Sequence, residues 1–328
     1  MNPPLLQVRN LSVKLPVRSS PGFRGRKVSV VHQASLTVKK QETFCVIGES
    51  GSGKTSLLLA ILGFHPFCKG DLVFEASVIK RSNDRVHRML QHQSQMVFQD
   101  PQTSLNPLFT LEKSLEEPLR ANRISKGERK AVINRLARET GLSKELLGRR
   151  PSRVSGGECQ RAAIARAMST MPKILFLDEP LTALDALTGK QVTGLLVNMK
   201  KEYALTMILV SHDLGLVRDI GTGVGVMYFG RFVEIAPVKE FFSNPLHPYS
   251  RALLSCTLTP GLWSKQRIIL QGEMPSPQRP PSGCVFHPRC SMVMPCCRNS
   301  DPPPMLVDQE HEVCCHLYAN VGGKRLKK

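Results

Sequence analysis

The sequence predicts an α/β fold, a mostly parallel sheet with helices packed on it, and three stretches of the 328-residue chain predict it. The apolar run Thr43 to Ile47 leads into Gly48-Glu49-Ser50-Gly51-Ser52-Gly53-Lys54-Thr55 and then into Ser56 to Leu62, the order strand, glycine-rich turn, helix. The run Ile174 to Leu177 is apolar without alternation, as a strand buried on both faces is, and it ends on Asp178 and Glu179. Thr206 to Val210 is a further run of this kind and delivers Ser211-His212-Asp213.

The turn carries the pattern G-x-x-x-x-G-K-[ST]. Its glycines let successive N–H groups of residues 48 to 55 face one concavity at a helix N-terminus, where an anion is favoured. Lys54 is placed to reach β- and γ-phosphates, and the Thr55 hydroxyl to take one position on Mg²⁺. In an open α/β sheet, ligands gather at the carboxyl ends of the strands. That puts Asp178 where it can hold Mg²⁺ through water and Glu179 where it can polarise the water that attacks a γ-phosphate. His212, at the end of another central strand, is placed to contact the γ-phosphate or that water.

The remaining elements follow in order. Leu5 to Leu15 and Val28 to Val38 alternate apolar and polar residues, the pattern of half-buried antiparallel strands, with an exposed loop at residues 19 to 26 between them. Leu72 to Ala76 and Gln95 to Phe98 are short strand candidates, the second running into the turn-rich segment Gln99 to Pro107. Residues 111 to 170 read as mainly helical, interrupted by Gly141, Gly148 and Pro151. Two short strands are expected within 224 to 236, around Gly230-Arg231, and beyond about residue 256 regularity fades.

Composition bounds the setting. Hydrophobic residues make up 41% of the chain, ordinary for a globular protein, and no apolar run approaches the ~20 residues that span a bilayer. No signal-peptide pattern opens the sequence, so a cytosolic protein is expected, with any membrane-spanning left to other chains. The net charge is +19, and residues 1 to 41 contain eight basic and no acidic side chains. That excess fits nucleic acid, an anionic membrane surface or plain solubility, and charge alone does not choose.

Six features occur in one order: the phosphate loop, Gln99, Ser155-Gly156-Gly157-Glu158, Ile174 to Pro180, Ala183-Leu184-Asp185, and His212. This ordered set resembles the ATP-binding subunit of ABC transporters over residues 5 to 240. The resemblance implies an ABC-type P-loop NTPase core with an antiparallel β subdomain and a helical subdomain at about 101 to 170. Residues 98 to 107 and Asn244 to Leu253 are similar to the dipeptide, oligopeptide and nickel permease branch. Gly283 to Cys290 looks like the start of that branch's C-terminal extension, here 241 to 328, and Cys159-Gln160-Arg161 resembles the second of its two ATPase subunits.

By that resemblance, Ser155, Gly156 and Gly157 close over ATP held by the phosphate loop of a second, related cassette. Gln99 ligates Mg²⁺ beside Thr55 and Asp178 and senses the membrane subunit, Asp185 bridges the dimer, Glu179 is the catalytic base and His212 the γ-phosphate switch. Implied partners are a second ABC ATPase subunit, two integral membrane permease subunits and an extracytoplasmic solute-binding protein, with the chain peripheral on the cytoplasmic face of the inner membrane. Val154 stands where Leu or Phe usually opens the signature, and Leu15 where an adenine-stacking aromatic is expected, leaving Phe23 or a partner residue to substitute.

Six of the ten cysteines fall between 284 and 315. In a cytosolic protein they suggest metal or free thiols rather than disulfides. Four thiolates suit zinc or an iron–sulfur cluster. Matched to the branch, Cys284, Cys290, Cys297 and Cys315 are the implied [4Fe–4S] ligands, with Cys296 and Cys314 as neighbours.

A transport ATPase moving short peptides, with nickel or a metal chelate as the alternative cargo, competes with a nucleic-acid ATPase of the same superfamily. Repair relatives carry long coiled coils between phosphate loop and signature, and the interval here is too short. Translation-type relatives carry two cassettes, and one is found here. The sequence therefore predicts a transport ATPase that binds no nucleic acid.

Overall fold

The computed structural model describes residues 4–16, 27–80, 84–182, 184–256, 268–308, 310–319 and 324–325. Phe23 and Ala183 lie outside them. The chain divides into two compact units: Met1–Arg88 with Val210–Lys328, and Met89–Leu209.

The first unit opens with strands Pro4–Pro16 and Lys27–Lys39 paired antiparallel, with Phe67–Phe74 on the other side of the first strand and Ser77–Ile79 at the edge. Leu6 and Val8, then Leu11 and Val13, are buried, and the alternation predicted for Leu5 to Leu15 is broken between the two pairs, where Asn10 takes φ 49° and the pairing register shifts. The strand expected at Leu72 to Ala76 is corrected. It begins at Phe67 and stops at Phe74, because Glu75 and Ala76 turn the chain at φ 46° and 64° into Ser77–Ile79. Such a turn favours Asn or Gly, and neither marks it here.

The other sheet of this unit runs from Thr43–Ile47, buried throughout, to its parallel neighbour Gly223–Tyr228 and on to antiparallel Arg231–Pro237. Regularity does not end at residue 256. Strands His311–Val313, Met305–Asp308 and Lys324–Arg325 add to the far edge of Arg231–Pro237 in that order. Helices Val238–Ser243 and Pro248–Ser255 lie between.

In the second unit, Ser94–Val97 and Ile174–Asp178 pair in parallel, with Thr206–Val210 next in order beyond the latter. The strand ends at Val97 rather than Phe98, which leaves Phe98 and Gln99 exposed. The helical stretch is present as Leu111–Ala121, Lys126–Glu139, Lys144–Leu147 and Gly156–Met168. Thr110, Ser125, Ser143 and Ser155 cap these helices with their side-chain oxygens, satisfying N–H groups that a helix start leaves open.

A buried carboxylate joins the late strands to the sheet. Glu234, on Arg231–Pro237, has no side-chain exposure and accepts from the N–H groups of Leu246 at 2.9 Å and His247 at 2.8 Å. His311 Nε2 stands 2.7 Å from the same carboxylate. Burial alone would raise the Glu234 carboxyl, but the donors, His311 first, hold it below the usual carboxylate range. Beside it, His247 takes the N–H of Tyr249 on Nδ1 at 3.0 Å, and burial lowers its pKa from 6.5 to about 4.

The unfolded chain therefore binds a proton at residue 247 that the folded chain refuses between those two values. Stability falls as pH is lowered through that window, by on the order of 3 kcal/mol at full effect. The lowered Glu234 carboxyl acts in the same direction at more acid pH. Urea midpoints measured from pH 7.5 to 4.5 should fall steadily in the wild type and less steeply in His247→Asn. A midpoint independent of pH over that range would remove His247 from this role.

Candidate functional site

The phosphate loop hangs from the end of the buried strand Thr43–Ile47, in the first unit. Gly48, Gly51 and Gly53 all have positive φ, at 149°, 79° and 101°. Space excludes a side chain at two of them. A Cβ on Gly48 would lie 2.1 Å from the Met227 carbonyl oxygen, and one on Gly53 2.5 Å from that of Val30. The helix Lys54–Ile61 starts from Gly53, which offers no side-chain cap, and its N-terminus faces the loop, where an anion is favoured.

Lys54 is 5% exposed, and its ammonium donates to the carbonyls of Gly48 and Glu49, both at 2.8 Å. An ammonium held at that place can give an entering phosphate charge-assisted hydrogen bonds. The Ser52 hydroxyl, fully buried in the loop, has no hydrogen-bond partner. The glycine cradle, the unpartnered hydroxyl and the buried ammonium together fit a nucleotide's phosphates. Ser50 and Thr55 lie at the loop's surface.

His212 belongs to the same unit. Ser211 donates its N–H to Val46 O at 3.2 Å, which seats the residue before His212 beside the strand that launches the loop. Asp213 caps helix Leu214–Ile220 through the N–H groups of Gly215 and Leu216. His212 is held, exposed, between that anchor and that cap.

The second unit holds the remaining cassette residues. Asp178 closes the strand Ile174–Asp178 and is 3% exposed. Glu179 follows at φ 47°, a left-handed conformation that is costly for a glutamate and that turns its carboxylate out of the strand line. Its Oε2 accepts from Thr182 Oγ1 at 3.0 Å and from Gln99 Nε2 at 3.4 Å, so Gln99 and Glu179 are brought together. Of the Mg²⁺ set, Gln99 and Asp178 lie in this unit and Thr55 in the other.

Ser155 opens helix Gly156–Met168 as a reciprocal capping box with Glu158. The Ser155 N–H and hydroxyl both donate to Glu158 Oε2, at 2.7 and 2.9 Å, and lower that carboxyl. A Cβ on Gly157 would lie 2.3 Å from Thr188 Cγ2, so a larger residue there requires the Thr188 side chain to move, whereas Gly156 has room. Asp185 caps helix Ala186–Glu202, accepting from Leu187 and Thr188 N–H at 3.0 Å each and from Thr188 Oγ1 at 2.6 Å. The Thr188 hydroxyl, then the backbone donors, lower its carboxyl.

Two contacts on the phosphate loop escaped the sequence reading. Tyr249 Oη accepts the Glu49 N–H at 2.7 Å, and the Arg289 guanidinium grips the Glu49 carboxylate at 2.7 and 3.2 Å. They come from 200 and 240 residues away, and no local signal announces either contact. The S-x-x-E spacing of Ser155 and Glu158, by contrast, was a readable capping signal.

The metal expectation for the cysteines finds no support. Among the described residues, no three His, Cys, Asp or Glu side chains come together in a group that could hold a metal ion. Burial pushes the Cys284 thiol up to about 11 and that of Cys315 to about 12, and raises Cys290.

Residues 31–182 match the family described as ABC transporter, and residues 233–297 the one described as oligopeptide/dipeptide transporter, C-terminal region. The oligopeptide transport ATP-binding protein AppF of Bacillus subtilis is 38% identical over 96% of this chain and 98% of its own. The di/tripeptide transport ATP-binding protein DppF of Pseudomonas aeruginosa is 38% identical over 92% of this chain and 94% of its own. Among solved structures, cbiO1 of Clostridium perfringens, part of the ABC transporter complex cbiONQ, aligns at TM-score 0.63 and 26% identity, covering 74% of this chain and 91% of that one.

Proposed function

The chain belongs to the ATP-binding subunits of ABC transporters, and on that premise we propose that the ATP it hydrolyses drives uptake of short peptides across a membrane. One observation carries the cargo: near full-length identity to proteins named for oligopeptide and di/tripeptide transport, including the C-terminal region at 233–297. Nickel or a metal chelate is the alternative cargo. The proposed partners are two membrane permease subunits, a solute-binding protein outside the membrane, and a second, related cassette. Among the described residues no helix is long and apolar enough to cross a membrane. Exposed Phe98 and Leu108, close in sequence to Gln99, support permease docking at that place.

The residue roles follow from charge and placement. The amides of residues 48 to 55 and the Lys54 ammonium hold the β- and γ-phosphates, and Thr55, Gln99 and Asp178 hold Mg²⁺, which neutralises phosphate charge when bound. Glu179, anchored by Thr182, takes a proton from the attacking water, and His212 orients toward the γ-phosphate. Ser155, Gly156 and Gly157 present a helix N-terminus to the nucleotide of the partner cassette, and Asp185 faces the dimer contact. A [4Fe–4S] cluster on Cys284, Cys290, Cys297 and Cys315 enters no step of this scheme. Iron and sulfide assays after anaerobic purification decide between it and reduced thiols.

The cargo is tested by deleting the chain from its host and measuring uptake of a radiolabelled dipeptide and of radioactive nickel. Loss of dipeptide uptake, restored by the wild-type chain but not by Lys54→Ala, is expected. Unchanged dipeptide uptake with loss of nickel uptake would contradict the peptide assignment.

A further inference from the structure

Glu49, the second residue of the phosphate loop, is held at every polar group it has. Its N–H goes to Tyr249 Oη at 2.7 Å, its carboxylate to Arg289 through two bonds of 2.7 and 3.2 Å, and its carbonyl to Lys54 Nζ at 2.8 Å. Two of these three contacts come from Tyr249 and Arg289, far along the chain, and the third is the lysine on which phosphate binding depends.

Neither distant side chain is free to swing. Tyr249 has no exposure and packs against Tyr228 and Phe286, with ring centroids 4.8 and 5.4 Å away. Tyr228 and Phe286 themselves meet edge to face at 5.1 Å. The Arg289 side chain is 7% exposed, its guanidinium lies 6.0 Å from the Tyr228 ring centroid, and its Nε donates to Gln271 O at 3.2 Å. The planar guanidinium meets the planar carboxylate through paired bonds, which fixes direction as well as distance. The Glu49 side chain is 28% exposed, so the pair is shielded on one side and in contact with water on the other.

We propose that Tyr249 and Arg289 are positioning residues for ATP binding: together they fix the Glu49 peptide unit, whose carbonyl, with that of Gly48, sets the Lys54 ammonium. The inference rests on the nucleotide reading of the loop and extends it to side chains 200 and 240 residues away. The C-terminal region thereby acts on the nucleotide site of its own chain.

A double-mutant cycle on the full chain tests this, with a fluorescent ATP analogue to read the dissociation constant and steady-state hydrolysis, in the presence of the permease subunits, to read KM and kcat. Arg289→Gln should weaken nucleotide binding about 10-fold and raise KM by the same factor, with kcat within about 3-fold, as lost placement of a binding group does. In a Glu49→Gln background the same Arg289 change should add nothing, because its partner charge is gone. Arg289→Lys keeps the charge and the packed stem and should fall between, which covers the case of a poorly folded Gln variant. Equal effects of the Arg289 change in both backgrounds, or none in either, would overturn the proposal. If the wild-type chain itself fails to bind the analogue, the nucleotide reading fails instead.

Discussion

Replacing Glu179 by Gln should leave ATP binding intact and lower hydrolysis by on the order of 10²- to 10⁴-fold, the loss expected when a general base is removed. The substitution keeps shape and hydrogen bonding. A Gln carbonyl can still accept from Thr182 Oγ1, which stands 3.0 Å from Glu179 Oε2, and the left-handed φ of 47° is unchanged. What disappears is basicity alone. The nucleotide dissociation constant and the single-turnover rate, measured on the same preparation, separate the two effects. Near-normal hydrolysis would take Glu179 out of the scheme.

Lys54→Ala should act on binding itself, weakening ATP by about 10²-fold, the scale of lost charge-assisted hydrogen bonds in a shielded site. Lys54 is 5% exposed, and its ammonium is already oriented by the Gly48 and Glu49 carbonyls. Removing it deletes the charge that meets the phosphates and leaves those carbonyls facing a gap. Equilibrium titration with ATP checks this directly, and an unchanged dissociation constant would contradict the phosphate role. The contrast between the variants is the informative part: one binds without turning over, the other fails to bind.

Legibility in the sequence followed physical rules. Strands Thr43–Ile47, Ile174–Asp178 and Thr206–Val210 are buried on both faces, so they read as unbroken apolar runs. The phosphate loop was legible because three of its positions need glycine conformations and its chemistry needs a lysine at a fixed offset. The hairpin at Phe67–Phe74 and Ser77–Ile79 was misread because Glu75 and Ala76 adopt positive φ without Gly or Asn to advertise it. The late strands were missed because three-residue and four-residue segments among prolines carry too little alternation to count. Their anchor is a buried Glu234, and a charged residue inside a strand argues against the buried reading until its donors are seen. Tyr249 and Arg289 stand in stretches read for their likeness to the permease branch, but their contacts with Glu49 were invisible, because a contact across 200 residues leaves no periodic trace.

The helix starts at Ser155 and Asp185 show how one residue serves two readings. Both side chains cap helices within their own chain. For Ser155, Gly156 and Gly157 the proposed role toward a partner's nucleotide falls on the same helix start and would use the N–H groups that the cap leaves over.

The most direct test of the account is hydrolysis and transport measured together in sealed vesicles containing this chain and the proposed partners: a second cassette, the permease subunits and the solute-binding protein. The account predicts that phosphate release and dipeptide accumulation rise together on adding ATP and Mg²⁺, and that Glu179→Gln abolishes both while retaining nucleotide. A wild-type chain that neither retains ATP nor splits it in that assembly would contradict the account at its root.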